Sequence, residues 1–194
     1  METITVITVN AETSALVLID LQLGILSLPT NPRPAASVLD TSRRLAERFR
    51  VSGAPVVLVN VDFGPEGAST PPGLSHQASV QAGRTLSPRW AELADDLVVS
   101  GDILITKRQW GAFTGTALDQ TLRRSGVDTI VLGGIATNFG VESTARHAWE
   151  LDYHVIVVED ACATTAPGEL HELTFAHVFP RIARITRSDA LEIR

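Results

Sequence analysis

The chain has 194 residues, 20% of them charged, and a formal net charge of −6. That length suffices for one hydrophobic core, and a mildly acidic balance with no block of like charge excludes nucleic-acid binding through a basic patch. A single cysteine, Cys162, excludes an intramolecular disulfide framework, and no apolar run approaches the ~20 residues needed to cross a bilayer.

The first residues, M-E-T-I-T-V-I-T-V-N, alternate β-branched side chains and lack the basic and apolar regions of a secretion signal. The reading is a single cytoplasmic domain over 1–194. Residues 14–20, S-A-L-V-L-I-D, form a continuous apolar run of the kind found in a strand buried on both faces. A helix follows over 35–52, with Val38, Leu45, Ala46 and Phe49 as its apolar stripe and Gly53 as its stop. Residues 55–61 are a second buried strand. The stretch 64–88 is rich in Gly, Pro, Ser and Gln, and a connection that long in a compact domain suits a functional loop. Strands at 103–106, 129–132, 154–158 and 182–185 alternate with helices at 114–124, 138–151 and 169–178. This rhythm predicts an α/β, three-layer Rossmann-like fold around a central, mostly parallel six-stranded sheet.

Ligands of open α/β sheets bind beyond the carboxyl ends of the strands. Asp20 closes the first predicted strand, Lys107 closes I-L-I-T-K, and Gly134–Gly140 links the fourth strand to its helix. The topology brings all three to one edge. Backbone N–H groups at a strand-to-helix turn of this kind form an oxyanion site, with Thr137 or Asn138 available as a cap and Glu142 in the first turn.

Three motifs, A-L-V-L-I-D-L-Q, I-T-K-R-Q-W-G-A-F and G-G-I-A-T-N-F-G-V-E-S-T-A-R-H, occur in that order, and the match continues through V-V-E-D-A-C-A-T. Together they resemble the isochorismatase-like hydrolases, also called cysteine hydrolases, over nearly the whole chain. The resemblance implies that Asp20 is the general acid or base and Lys107 its electrostatic partner. It places Gly140 where most of the family has its cysteine nucleophile, as in a bacterial subgroup that also carries glycine there. It implies a cis peptide at Ile135–Ala136 that aims the amides of Ala136 and residue 140 at a substrate oxygen. Gln22, Phe63, Trp110, Phe113 and Asn138 are the substrate-binding positions it implies. The family also implies a homo-oligomer.

Relatives that hydrolyse isochorismate likewise have glycine at the Gly140 position. There the aspartate protonates a vinyl ether carbon before water attacks, and the absent side chain leaves room for substrate. This chain has A-T-N where those enzymes have a tyrosine-alanine-histidine run, and Asp62 falls where they place a glutamine. The expectation is therefore a hydrolase of a small metabolite other than isochorismate. The alternative is a catalytically silent metabolite-binding protein on the same scaffold.

Neither cofactor nor metal is expected. D-F-G at 62–64 lacks the histidine of the metal-binding nicotinamidases of this superfamily, and His76 is isolated. His147, His154, His171 and His177 are expected away from the predicted edge. Cys162 is expected to be structural rather than nucleophilic.

Overall fold

Six residues with apolar side chains on both sides of the pleat, as in S-A-L-V-L-I, are stable in a strand only when both faces are covered. The computed structural model, which describes residues 6–71 and 86–194, covers them in that way. The strands are β1 (Ile7–Val9), β2 (Ser14–Ile19), β3 (Val56–Val61), β4 (Ile103–Lys107), β5 (Thr129–Ile135), β6 (His154–Ala163), β7 (Arg184–Thr186) and β8 (Leu191–Ile193). Six form one sheet in the order β4-β3-β2-β5-β6-β7, with every neighbouring pair parallel. The helices are α1 (Leu23–Leu26), α2 (Ala35–Val51), α3 (Leu118–Arg124), α4 (Glu142–Glu150), α5 (Gly168–Leu173) and α6 (Phe179–Ile182).

Alternate residues of the central strands feed two separate apolar layers. Leu16 and Leu18 face α2, packing with Val38, Leu45 and Phe49; Ala15, Val17 and Ile19 face α3 and α4, packing with Leu118, Leu122, Ala145 and Ala148. Phe49, Leu16 and Leu118 are wholly buried, and each such side chain contributes roughly 1.5–3 kcal/mol relative to exposure. No helix among the described residues is long and apolar enough to cross a membrane.

The observed elements depart from the sequence reading in several places: the helix expected over 114–124 begins only at Leu118, and Ile182, expected to open the last strand, ends α6. β1 and β8 form a two-stranded parallel sheet of their own, Ile7 beside Leu191; three-residue strands paired across nearly the whole chain leave no local pattern to read. The helix expected over 138–151 begins as a π-helical turn, Thr137–Val141, in which the Val141 N–H reaches back five residues to the Ala136 carbonyl. The helix expected over 169–178 also passes into a π turn, Thr174–Val178, before α6. Of the long polar connection, residues 72–85, including His76, lie outside the described residues.

The chain runs outward from β2 to β3 and β4 on one side, and from β5 to β6 and β7 on the other. Reversal of strand order between β2 and β5 opens a crevice at their carboxyl ends. The two strands approach unusually closely there. Gly134 has φ +126°, and a Cβ on it would lie 2.1 Å from the Ile19 carbonyl oxygen. Gly134→Ala should therefore lower stability by about 3 kcal/mol or more, from overpacking and backbone strain together. Urea unfolding checks this; a loss within about 0.5 kcal/mol, the range of neutral surface changes, would refute the close approach.

Candidate active site at the switch point

Asp20 follows β2 in the left-handed region, φ +53°, and its N–H donates to the Val59 carbonyl at 2.8 Å. Aspartate tolerates that conformation better than most residues because its short side chain can hydrogen-bond locally. Lys107, at the end of β4, lies two strands away, and its stem crosses the end of β3. Its ammonium sits 2.8 Å from Asp20 Oδ2 and also donates to the Trp110 carbonyl. Lys107 is 1% exposed and Asp20 6%.

Two charges so deeply withdrawn from water are tolerable only as partners. Asp20 Oδ1, however, is buried without a hydrogen-bond partner among the described residues. Burial raises the Asp20 pKa to about 6, and the charge and hydrogen bond of Lys107 oppose that rise. Because Oδ2 accepts from Lys107, a proton on this carboxyl belongs on Oδ1. Burial thus pushes toward neutrality a carboxyl that also keeps one oxygen without a partner among the described residues.

Gly140 completes the cluster. A Cβ there would meet Ile19 Cγ2 at 2.9 Å, Lys107 Nζ at 3.0 Å and Asp20 Oδ2 at 3.1 Å. In this chain the ion pair itself packs against the space a Cβ would take. The Ile135–Ala136 peptide is cis, and Ala136 stands at the start of the π turn. Thr144 pins the far end of the turn, donating its hydroxyl to the Gly140 carbonyl at 2.7 Å and accepting from the Ala112 N–H at 3.1 Å.

The positions assigned to substrate binding divide. Trp110 is 61% exposed, and its ring lies 4.9 Å from that of Phe139, beside the turn. Phe63 is nearly buried at the end of β3, its ring 6.0 Å from Trp90. Asn138 is half-buried, and its side-chain carbonyl accepts the Thr164 hydroxyl. Gln22 is wholly buried, and both ends of its amide are used: Nε2 donates to the Val61 and Trp90 carbonyls, each at 3.1 Å, and Oε1 accepts the Val61 N–H at 2.8 Å. It joins strand end to loop and has no group left for substrate. Phe113 is a core residue, packed at 5.5 Å on His147 and 5.7 Å on Tyr153; the loop that carries it turns inward under α4.

Thr137 and Asn138 do not cap the helix, since the π turn has no side-chain cap. The Thr137 hydroxyl instead meets His171 Nδ1 at 2.8 Å. His171 therefore lies directly behind the turn, contrary to its expected place away from this edge. Trp90 is a further residue that no local pattern singles out. Its indole covers Gly24 so closely that a Cβ there would be 2.0 Å from Trp90 Cδ1, and it also borders a cleft of about 510 Å³ with Asp62, Gly64, Glu66 and Ala91. Asp62 is held low in pKa by the Gly64 N–H and by Arg108, so it is tied into a turn and an ion pair. Cys162 lies beside Gly134 in the sheet register, wholly buried, and burial pushes its thiol up to about 12. Among the described residues no group of three or more His, Cys, Asp or Glu is placed to hold a metal ion.

Comparison with known proteins agrees with this architecture. The Isochorismatase domain matches residues 14–190. The chain is 46% identical over 178 residues to the isochorismatase family protein YecD of Escherichia coli O157:H7, covering 91% of this chain and 93% of that one. An isochorismatase family protein of Burkholderia thailandensis superposes with a TM-score of 0.90 at 40% identity, covering 96% of this chain and 97% of the other. N-carbamoylsarcosine amidase of Thermoplasma acidophilum superposes with a TM-score of 0.70 at 29% identity, covering 91% and 97%. With the same parallel sheet and a domain match over nearly its whole length, the chain belongs to the isochorismatase family of hydrolases.

Proposed function

We propose that the protein hydrolyses a small metabolite in the cytoplasm without a cysteine nucleophile, using Asp20 as general acid and base and Lys107 as its partner. The observation that carries this reading is Asp20 itself, buried, held at Oδ2 by Lys107, and unpartnered at Oδ1. In the first step Oδ1–H delivers its proton to the substrate at the bond to be broken or at an adjacent unsaturated carbon. The Asp20 anion left behind is stabilised by Lys107. Water then adds to the electron-deficient carbon, and its surplus proton returns to Asp20, so no covalent intermediate forms.

Gly140 stands where most of the family carries cysteine. A Cβ there would lie 3.0 Å from Lys107 Nζ and 3.1 Å from Asp20 Oδ2, so the glycine leaves the ion pair uncrowded on this side. The amides of Ala136 and Gly140 are the proposed donors to a substrate oxygen. Trp110 and Phe63 are the proposed apolar walls, with Asn138 at the mouth. The N-carbamoyl amide cleaved by the Thermoplasma relative makes ureido and amide compounds the first substrates to screen, beside enol ethers.

Asp20→Asn should reduce any hydrolysis found in that screen by at least about 100-fold, the usual range for a lost general acid, with circular dichroism unchanged. Turnover within twofold would remove Asp20 from the chemistry, whereas no hydrolysis of any compound in the screen would favour the silent-binder alternative. For an acid with a folded-state pKa of about 6, kcat/KM should fall as pH rises through that value, because the reactive form is the protonated one. A rate that instead climbs through the same pH would make Asp20 the initial base.

Gly140→Cys, made in a Cys162→Ala background, should give a thiol that iodoacetamide alkylates faster than it alkylates Cys162 in the unmodified chain. Lys107 would favour its thiolate and Asp20 would take its proton, after the Ile19 methyl and the Lys107 ammonium give way slightly. Intact-mass spectrometry reads this directly. A folded but inert variant would sink the assignment of Gly140 to the nucleophile position.

The chain is also proposed to assemble as a homo-oligomer. Light scattering should then give a mass well above the 20.8 kDa of one chain, and a monomer at micromolar concentration would overturn it.

A further inference from the structure

The π turn that carries Gly140 is held at both ends. Thr144 fixes its far end through the Gly140 carbonyl. Its near end is fixed from an element the hydrolytic reading does not use. Thr137 is wholly buried and His171, on α5, is 3% exposed; their side chains meet at 2.8 Å through Nδ1. The other ring nitrogen, Nε2, lies 3.6 Å from Glu159 Oε1. The imidazole rests 4.7 Å from the ring of Phe175.

Glu159 is anchored in turn. It pairs with Arg33 through Oε1 and with Arg187 at 2.7 Å through Oε2, while Arg33 also donates to the Glu159 and Cys162 carbonyls. His171 and the two arginines hold the Glu159 carboxyl down to about 2, so it is anionic throughout the working pH range. An anion facing Nε2 favours the tautomer with its proton on that nitrogen. Nδ1 is then an acceptor, and the Thr137 hydroxyl must be its donor. A buried hydroxyl with a defined donor direction restricts the Thr137 side chain, and with it the residue that follows Ala136.

We propose that Glu159 and His171 are positioning residues: the carboxylate sets the imidazole as its Nε2–H tautomer, Nδ1 accepts the Thr137 hydroxyl, and the turn is thereby fixed so that Gly140 seats against Asp20 and Lys107. Neither residue touches the reacting atoms. Their importance for turnover rests on the hydrolytic reading above, whereas the geometry of the turn does not, and the two are separable by experiment.

The test uses the full chain and needs no substrate. Two-bond proton–nitrogen NMR on the imidazoles, with His171 assigned by substitution, should show the Nε2–H tautomer at neutral pH, and Thr137→Val should shift the Nδ1 resonance. Amide exchange of Phe139 and Val141, both of which donate to the Ala136 carbonyl, should quicken by about tenfold or more in His171→Phe and in Thr137→Val. Protection in β2 and α2 should stay unchanged, because the opening is local. Thr137→Ser, which keeps the hydroxyl, should restore slow exchange. A ring protonated at Nδ1, or exchange at Phe139 and Val141 that is unaltered or rises only together with the whole chain, would overturn the proposal. If His171→Phe fails to fold, the Thr137→Val and Thr137→Ser pair decides the matter. Loss of turn protection alongside a failed Asp20→Asn test would leave the relay standing and remove only the hydrolytic reading.

Discussion

The contact between Asp20 and Lys107 is the constraint around which the site is arranged. Two opposite charges buried at 2.8 Å are stable only when neither can lose the other, because an uncompensated charge in such surroundings costs several kcal/mol. The sheet order supplies the geometry. Lys107 ends the outermost strand of one side, and its long stem carries the ammonium across β3 to the aspartate at the switch point. A shorter side chain at that position would leave Asp20 without its cation. A Cβ at residue 140 would require the Ile19 methyl, the Lys107 ammonium and the Asp20 carboxyl to give by a few tenths of an ångström.

The pair is satisfied asymmetrically. Lys107 gains a second acceptor in the Trp110 carbonyl, whereas Asp20 keeps one oxygen without a partner. A buried unsatisfied acceptor is destabilising by about 1–3 kcal/mol, and folds usually remove such groups by supplying a donor. Here the surroundings supply none, and the same burial lifts the carboxyl toward neutrality. The atom whose burial costs stability is therefore also the one on which the proposed proton transfer rests. The family resemblance fixes the class of chemistry and not the compound, since the same scaffold holds different substrates in different members. The amidase with a TM-score of 0.70 is a guide to the kinds of bond worth testing.

Around this centre, polar side chains serve mainly to hold backbone in place. Gln22 joins the end of β3 to the segment that carries Trp90, Thr144 holds the Gly140 carbonyl, and Asn138 meets Thr164 from β6's end. Each adds a side-chain tie at or beyond the ends of the six-stranded sheet, where isolated bridges such as Gln22 with Leu93 and Asn31 with Thr164 also hold the loops. This explains why Gln22, two residues after the acid in its motif, is unavailable to a ligand. Proximity in sequence placed it near the site, but the backbone groups that β3 and the loop leave unpaired claim its amide first.

The sequence by itself determined the parallel sheet and three positions at its edge, while the order of the strands came from the structure. Continuous apolar runs in 14–19 and 56–61 can exist only as doubly covered strands, and strand-helix alternation fixes parallel pairing, so Asp20, Lys107 and the 134–140 turn had to meet at one edge. Tertiary structure decided everything that depends on which way a loop side chain turns. Phe113 and Trp110 stand three residues apart in one motif, yet one is core beneath α4 and the other is exposed beside the turn. Trp90 reaches Gly24 and His171 reaches Thr137 across 66 and 34 residues of chain. Periodicity reports local burial, but these contacts arise from packing between elements distant in sequence, and only the folded chain brings them together.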